Sequence, residues 1–139
     1  MSPTERMETF NREFGSMAAR AQKRAGRWGM AHVVFESDRD GIYVQAAITR
    51  KGGILIDLPI CIMNDERVKL LKEMFEKVHE TYEARLFSRR KLISYQIYFR
   101  DADVQNSIKT AAEAVEDIFL KVFRLPGDYS IKEIKTEEG

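Results

Sequence analysis

From Ala31 to Ile62 the chain reads AHVVFES, DRDG, IYVQAAITR, KGG, ILIDLPICI. Three runs rich in β-branched and aromatic residues are separated by connections of only four and three residues. Parallel neighbours need a crossover of about a dozen residues or more, so these runs predict an antiparallel meander. DRDG and KGG supply the Asp and Gly that tight turns use. Pro59 lacks an amide donor and belongs at a strand end, on an edge or at a bulge.

Helical patterns flank the meander. SPTE at Ser2–Glu5 reads as a capping box, with Pro3 at the first helical position. Met7, Phe10, Phe14, Met17 and Ala21 follow at helical spacing, predicting a helix from Pro3 to about Ala25, ended by Gly26 and Gly29 around Trp28. Gly15 weakens that helix and predicts a close approach. MNDERVKLLKEMFEKVHETYEARLF predicts a long second helix capped by Asn64. KLISYQIYFR reads as a fourth strand, and DADVQNSIKTAAEAVEDIFLKVF as a third helix capped by Asp101 or Asp103. DYSIKEIK adds a last strand, and residues 136–139 read as a frayed tail. The expected order is α-β-β-β-α-β-α-β. It describes one α+β domain over residues 1–139, with a mostly antiparallel sheet and helices packed on at least one face.

Strand alternation sorts the sheet into two faces. Val33, Phe35, Ile42, Val44, Ala46, Ile48, Ile54, Ile56, Leu58, Ile60, Ile93, Tyr95, Ile97 and Phe99 form the expected core face. His32, Val34, Glu36, Tyr43, Gln45, Ala47, Thr49, Leu55, Asp57, Cys61, Ser94, Gln96 and Tyr98 fall opposite. This second set is too polar for a dry core and too aromatic for plain surface. Tyr43, Gln45, Gln96 and Tyr98 are its candidate partner-binding residues, because interfaces enrich aromatic side chains.

Several chemistries find no support. Cys61 is the one cysteine, so no intramolecular disulfide forms. It reads as a small buried hydrophobe. His32 and His79 show no spacing that pairs either with Cys61 as a catalytic dyad, and no metal-ligand pattern occurs. RKGGIL lacks phosphate-loop spacing, and no dinucleotide fingerprint follows a strand. The reading is therefore non-enzymatic, with no catalytic, cofactor-binding or metal-ligating residue, and no cofactor. A small-molecule-binding domain or an enzyme with an unrecognised site is a third alternative.

Lys and Arg number 23 against 22 Asp and Glu. A dedicated nucleic-acid binder usually carries a larger basic excess. Two basic clusters still offer an RNA-binding alternative: Arg20, Lys23, Arg24 and Arg27, then Arg85, Arg89, Arg90 and Lys91. Helix C-termini favour cations anyway, which accounts for the first cluster and for Arg85. No apolar run is long enough to cross a bilayer and no secretory leader is evident, so a cytoplasmic protein is expected.

The leading amphipathic helix, the GIYVQAAITRKGGILIDLPI hairpin and the late AAEAVEDIFLKVF helix together resemble the type III secretion chaperone fold and its YbjN-like relatives, over about residues 3–124. The resemblance implies a small non-catalytic homodimer that binds or shields a partner polypeptide. It also implies two strands between the second and third helices, where the residues themselves give one clear strand. It implies none after the last helix.

Overall fold

The computed structural model describes residues 1–23, 31–48, 53–76, 82–88, 92–99 and 103–136. Its elements are α1 (Pro3–Lys23), β1 (Ala31–Ser37), β2 (Tyr43–Ile48), β3 (Ile54–Pro59), α2 (Asp65–Glu76), β4 (Tyr82–Ser88), β5 (Leu92–Phe99), α3 (Val104–Asp117) and β6 (Ile131–Thr136). One six-stranded sheet runs β4-β5-β3-β2-β1-β6, with every neighbouring pair antiparallel. This is the expected α+β class, with helices packed against an antiparallel sheet.

The predicted punctuation is visible atom by atom. Glu5 N–H donates to Ser2 Oγ at 3.1 Å, and Ser2 N–H donates back to Glu5 Oε1 at 3.3 Å. The bond from the Ser2 amide and its hydroxyl hold the Glu5 carboxyl below its ordinary pKa. Asn64 Oδ1 accepts from Arg67 N–H at 2.8 Å ahead of α2. Asp103 accepts from Gln105 N–H at 2.9 Å and caps α3; Asp101 lies outside the described residues. Gly41 turns β1 into β2 with φ +75°, a conformation that costs glycine little.

Two expectations about the chain path are corrected. The second helix is described over Asp65–Glu76, and residues 82–88, expected to continue it, form β4. In YEARLFS, Tyr82, Ala84 and Leu86 alternate with Glu83 and Arg85, a period of two that the helical reading passed over. Pairing with β5, Ala84 to Ile97 and Leu86 to Tyr95, decides between the two periods. Among the described residues, two strands therefore lie between α2 and α3. The second correction concerns Gly15. A Cβ there would meet nothing within 4 Å, so no close approach explains it.

The core lies between the sheet and a single helical layer. Phe10, Phe14 and Met17 of α1 are wholly buried against Phe35 of β1, with ring centroids 4.9 Å apart for Phe10 and 5.7 Å for Phe14. α3 packs on α1 and crosses β3 and β5. Phe75 of α2 meets Phe99 of β5 edge-on, so α2 joins the same layer. Each buried aromatic contributes about 1.5–3 kcal/mol by leaving water.

One polar cluster sits inside this layer. Arg6, with no exposed surface, donates from Nε and Nη2 to the Glu116 carboxylate of α3 at 2.8–3.0 Å. Its Nη1 donates to the carbonyls of Met1 and Tyr129, at 2.6 and 3.0 Å. The guanidinium also lies 4.0 Å above the Tyr129 ring. Burial works against the charged guanidinium, yet the Glu116 hydrogen bonds and charge outweigh it and hold the Arg6 pKa above its ordinary value. Burial, then the Glu116 charge, pushes the Tyr129 phenol far up, so it stays neutral.

Removing one member of such a pair strands the other charge. Glu116→Ala is expected to destabilise the fold by about 3–5 kcal/mol in urea unfolding, whereas Arg6→Met with Glu116→Leu costs markedly less. Gly15→Ala is expected to stabilise by about 0.5–1 kcal/mol in the same assay, because helix propensity improves and nothing is displaced.

Candidate functional site

With the described helices on one face, the strands leave the other face without a described helix over it. Burial alternates along β1 and β3: Val33, Phe35, Ile54, Ile56 and Leu58 are buried, while Val34, Glu36, Leu55 and Asp57 are half-buried and His32 is exposed. This is the face division that alternation predicts. It departs from expectation where the strand ends: after Pro59 the chain enters a short 3₁₀ turn at Ile60–Ile62. Ile60 and Cys61 are exposed there rather than buried. Ile93 side-chain placement lies outside the description.

Tyr43, Gln45, Gln96 and Tyr98 all project from this open face. The register builds it in rows. Val34, Gln45, Asp57 and Gln96 are direct cross-strand neighbours across β1, β2, β3 and β5. His32, Ala47, Leu55 and Tyr98 form the adjacent row. Directly opposed side chains on a sheet come within contact distance, which half-buries even the polar ones.

Asp57 is the centre of the first row. It accepts from Gln45 Nε2 at 2.6 Å and from Gln96 Nε2 at 3.4 Å. The two amides thereby lose rotamer freedom. Tyr98 lies over Gly53, where a Cβ would collide with the phenol ring. Gly53 of KGG thus leaves room for an aromatic ring. Tyr43 Oη sits 4.0 Å from Cys61 Sγ; burial first, then that thiol, raises the phenol pKa. At the far side Lys135 of β6 donates to Glu36 of β1 at 2.9 Å. That bond holds the Glu36 carboxyl below its ordinary pKa and the Lys135 ammonium above its own.

The basic clusters fare differently. Arg20 donates to Ser16 Oγ at 2.9 Å and to the His32 carbonyl at 3.3 Å, fastening α1 to the start of β1. Lys23 is exposed. Arg85 is in β4, not at a helix end, and pairs in register with Gln96. Three strands separate β1 from β4. Four strand spacings put their axes roughly 19 Å apart. Arg24, Arg27, Arg89, Arg90 and Lys91 lie outside the described residues. The described members of the two clusters are thus not brought together.

Among the described residues, no group of three His, Cys, Asp or Glu is placed to hold a metal ion, and no helix is long and apolar enough to cross a membrane. The chain matches no protein-family model, no curated protein and no solved structure. Sequence reasoning did not single out the carboxylate flanked by two amides or the ring over Gly53. The signals were Asp57 in an otherwise apolar strand and a glycine directly before β3.

Gly53→Ala is expected to push the Tyr98 ring off its seat and to destabilise by about 1–3 kcal/mol. In a Tyr98→Ala background the same change should cost much less. A double-mutant cycle by thermal unfolding reads that coupling.

Proposed function

We propose that this protein is a non-enzymatic interaction module: a homodimeric, chaperone-like or adaptor protein of the cytoplasm that binds another polypeptide on its open sheet face. The reading rests on the grouping of Tyr43, Gln45, Gln96 and Tyr98 on that face. Tyrosine rings offer rigid contact area at low entropic cost, and their hydroxyls tolerate both wet and dry surroundings. Carboxamides held by Asp57 can both donate to and accept from an extended main chain. The element order adds support, since two strands between α2 and α3 agree with the chaperone-like arrangement. β6 falls outside that arrangement. Arg20, already bonded to Ser16 and the His32 carbonyl, speaks against a shared phosphate track with Arg85.

The test has two parts. Sedimentation equilibrium at low and high salt should give a dimer at both; a monomer at every salt and concentration overturns the homodimer. Light scattering should then show that the protein suppresses aggregation of a heat-unfolded reporter. Tyr43→Ala with Tyr98→Ala should weaken that suppression about tenfold or more, as expected when interface aromatics are truncated. If the variant performs as well as the wild type, and single-stranded RNA instead binds with a steep salt dependence that Arg89→Ala with Arg90→Ala abolishes, the RNA reading replaces this one.

A further inference from the structure

Among the described strands, β4 and β6 are the two edges of the sheet. Unpaired strand edges are templates for another strand unless something blunts them. β6 carries Lys132, Glu133 and Lys135 within six residues, and Lys135 is engaged by Glu36. Dense charge of this kind discourages pairing. β4 holds only Glu83 and Arg85 among its seven residues.

Register fixes the places of those two charges. Glu83 is opposite Tyr98 and Arg85 opposite Gln96, so both hold open-face positions. Tyr82, Ala84 and Leu86, opposite Phe99, Ile97 and Tyr95, hold helix-face positions. Suppose two copies of β4 meet antiparallel about a two-fold axis perpendicular to the sheet. Directly opposed residues must then share a face, so the axis passes through a residue. An axis at Glu83 opposes two glutamates, and one at Arg85 opposes two arginines; like charges directly opposed are destabilising. An axis at Leu86 sets Arg85 against Phe87 and runs into the register shift between Phe87 and Ser88. An axis at Ala84 sets Glu83 opposite Arg85 twice and Tyr82 opposite Leu86 twice, and it stops short of that shift.

We infer that two copies of this chain join edge to edge through β4, with the two-fold axis at Ala84. Their two six-stranded sheets become one continuous sheet, and both open faces lie on the same side of it. The homodimer supplies its partner with one surface twice as wide, and the open faces are not buried against each other. This inference rests on the homodimer reading above and specifies its geometry.

Dimer dissociation constants from sedimentation equilibrium of the full chain test it. Glu83→Arg and Arg85→Glu each turn two attractive cross-strand pairs into two repulsive ones, and each is expected to raise the constant roughly tenfold or more. The double exchange, Glu83→Arg with Arg85→Glu, restores the opposite pairing and is expected to return the constant to within about threefold of wild type. Glu133→Lys on β6 should leave it unchanged. A second readout does not depend on the charge variants folding. Residues facing each other across antiparallel strands have Cα atoms about 4.5–5.5 Å apart, within disulfide range. Ala84→Cys in a Cys61→Ser background should therefore form an intermolecular disulfide on mild oxidation. A dimer that neither charge reversal weakens and that Ala84→Cys does not cross-link overturns the β4 axis and leaves the homodimer standing. Single reversals that weaken the dimer without rescue by the double exchange also overturn the Ala84 register. A chain that is monomeric at every concentration overturns both readings.

Discussion

Arg6 is a cation with no exposed surface, and three other parts of the chain converge on it. Its hydrogen bonds go to Glu116 of α3 and to the carbonyls of Met1 and Tyr129, and the Tyr129 ring lies beneath it. The pair fixes how α1 lies along α3, and through Tyr129 it fixes where the last segment leaves the helical layer to reach β1. A buried ion pair gains little net stability over an apolar replacement, because two charges must leave water. Its hydrogen-bond geometry is directional, however, whereas the burial of Phe10, Phe14 and Phe119 in the core is not. The aromatic packing supplies most of the energy and the ion pair supplies the alignment.

That alignment has a consequence for the sheet. α1, α2 and α3 all contribute buried side chains to one core cluster, so one face of the strands is committed to helices. The other face stays half-buried by its own cross-strand neighbours. Polar residues persist there because they satisfy one another: Asp57 with Gln45 and Gln96, Glu36 with Lys135. A face built this way is ordered before anything binds, which lowers the entropic cost of binding.

Much of this was legible in the residues. The caps at Ser2 and Asn64, the turn at Gly41 and the division of strands into two faces follow from short-range rules, and each is local in origin. The errors share a different origin. YEARLFS satisfies a helical stripe and a strand alternation at once, so only β5 as a neighbour could select between them. Extending β3 past Pro59 places Ile60 on the core face, but a strand cannot keep its hydrogen-bond ladder through that residue, and Ile60 is exposed. Gly15 looked like a contact because glycine in a helix usually has a reason, and the reason is absent in space. Arg6 sits in a charged helix start and resembles any solvated arginine there.

The sequence by itself determined the element types wherever one period was unambiguous, the antiparallel sense of the meander, and the side chains available to each face. Those properties depend on residues a few positions apart and on connections too short to allow another path. Tertiary structure alone decided that residues 82–88 are a strand, that β6 adds to β1, that the basic residues Arg20 and Arg85 belong to separate places, and that Arg6 is buried. Each of these depends on contacts with another element, from the neighbouring β5 for residues 82–88 to partners about a hundred positions away for β6 and Arg6. No local pattern records such a partner, because the free energy that selects it arises only when both surfaces leave water together.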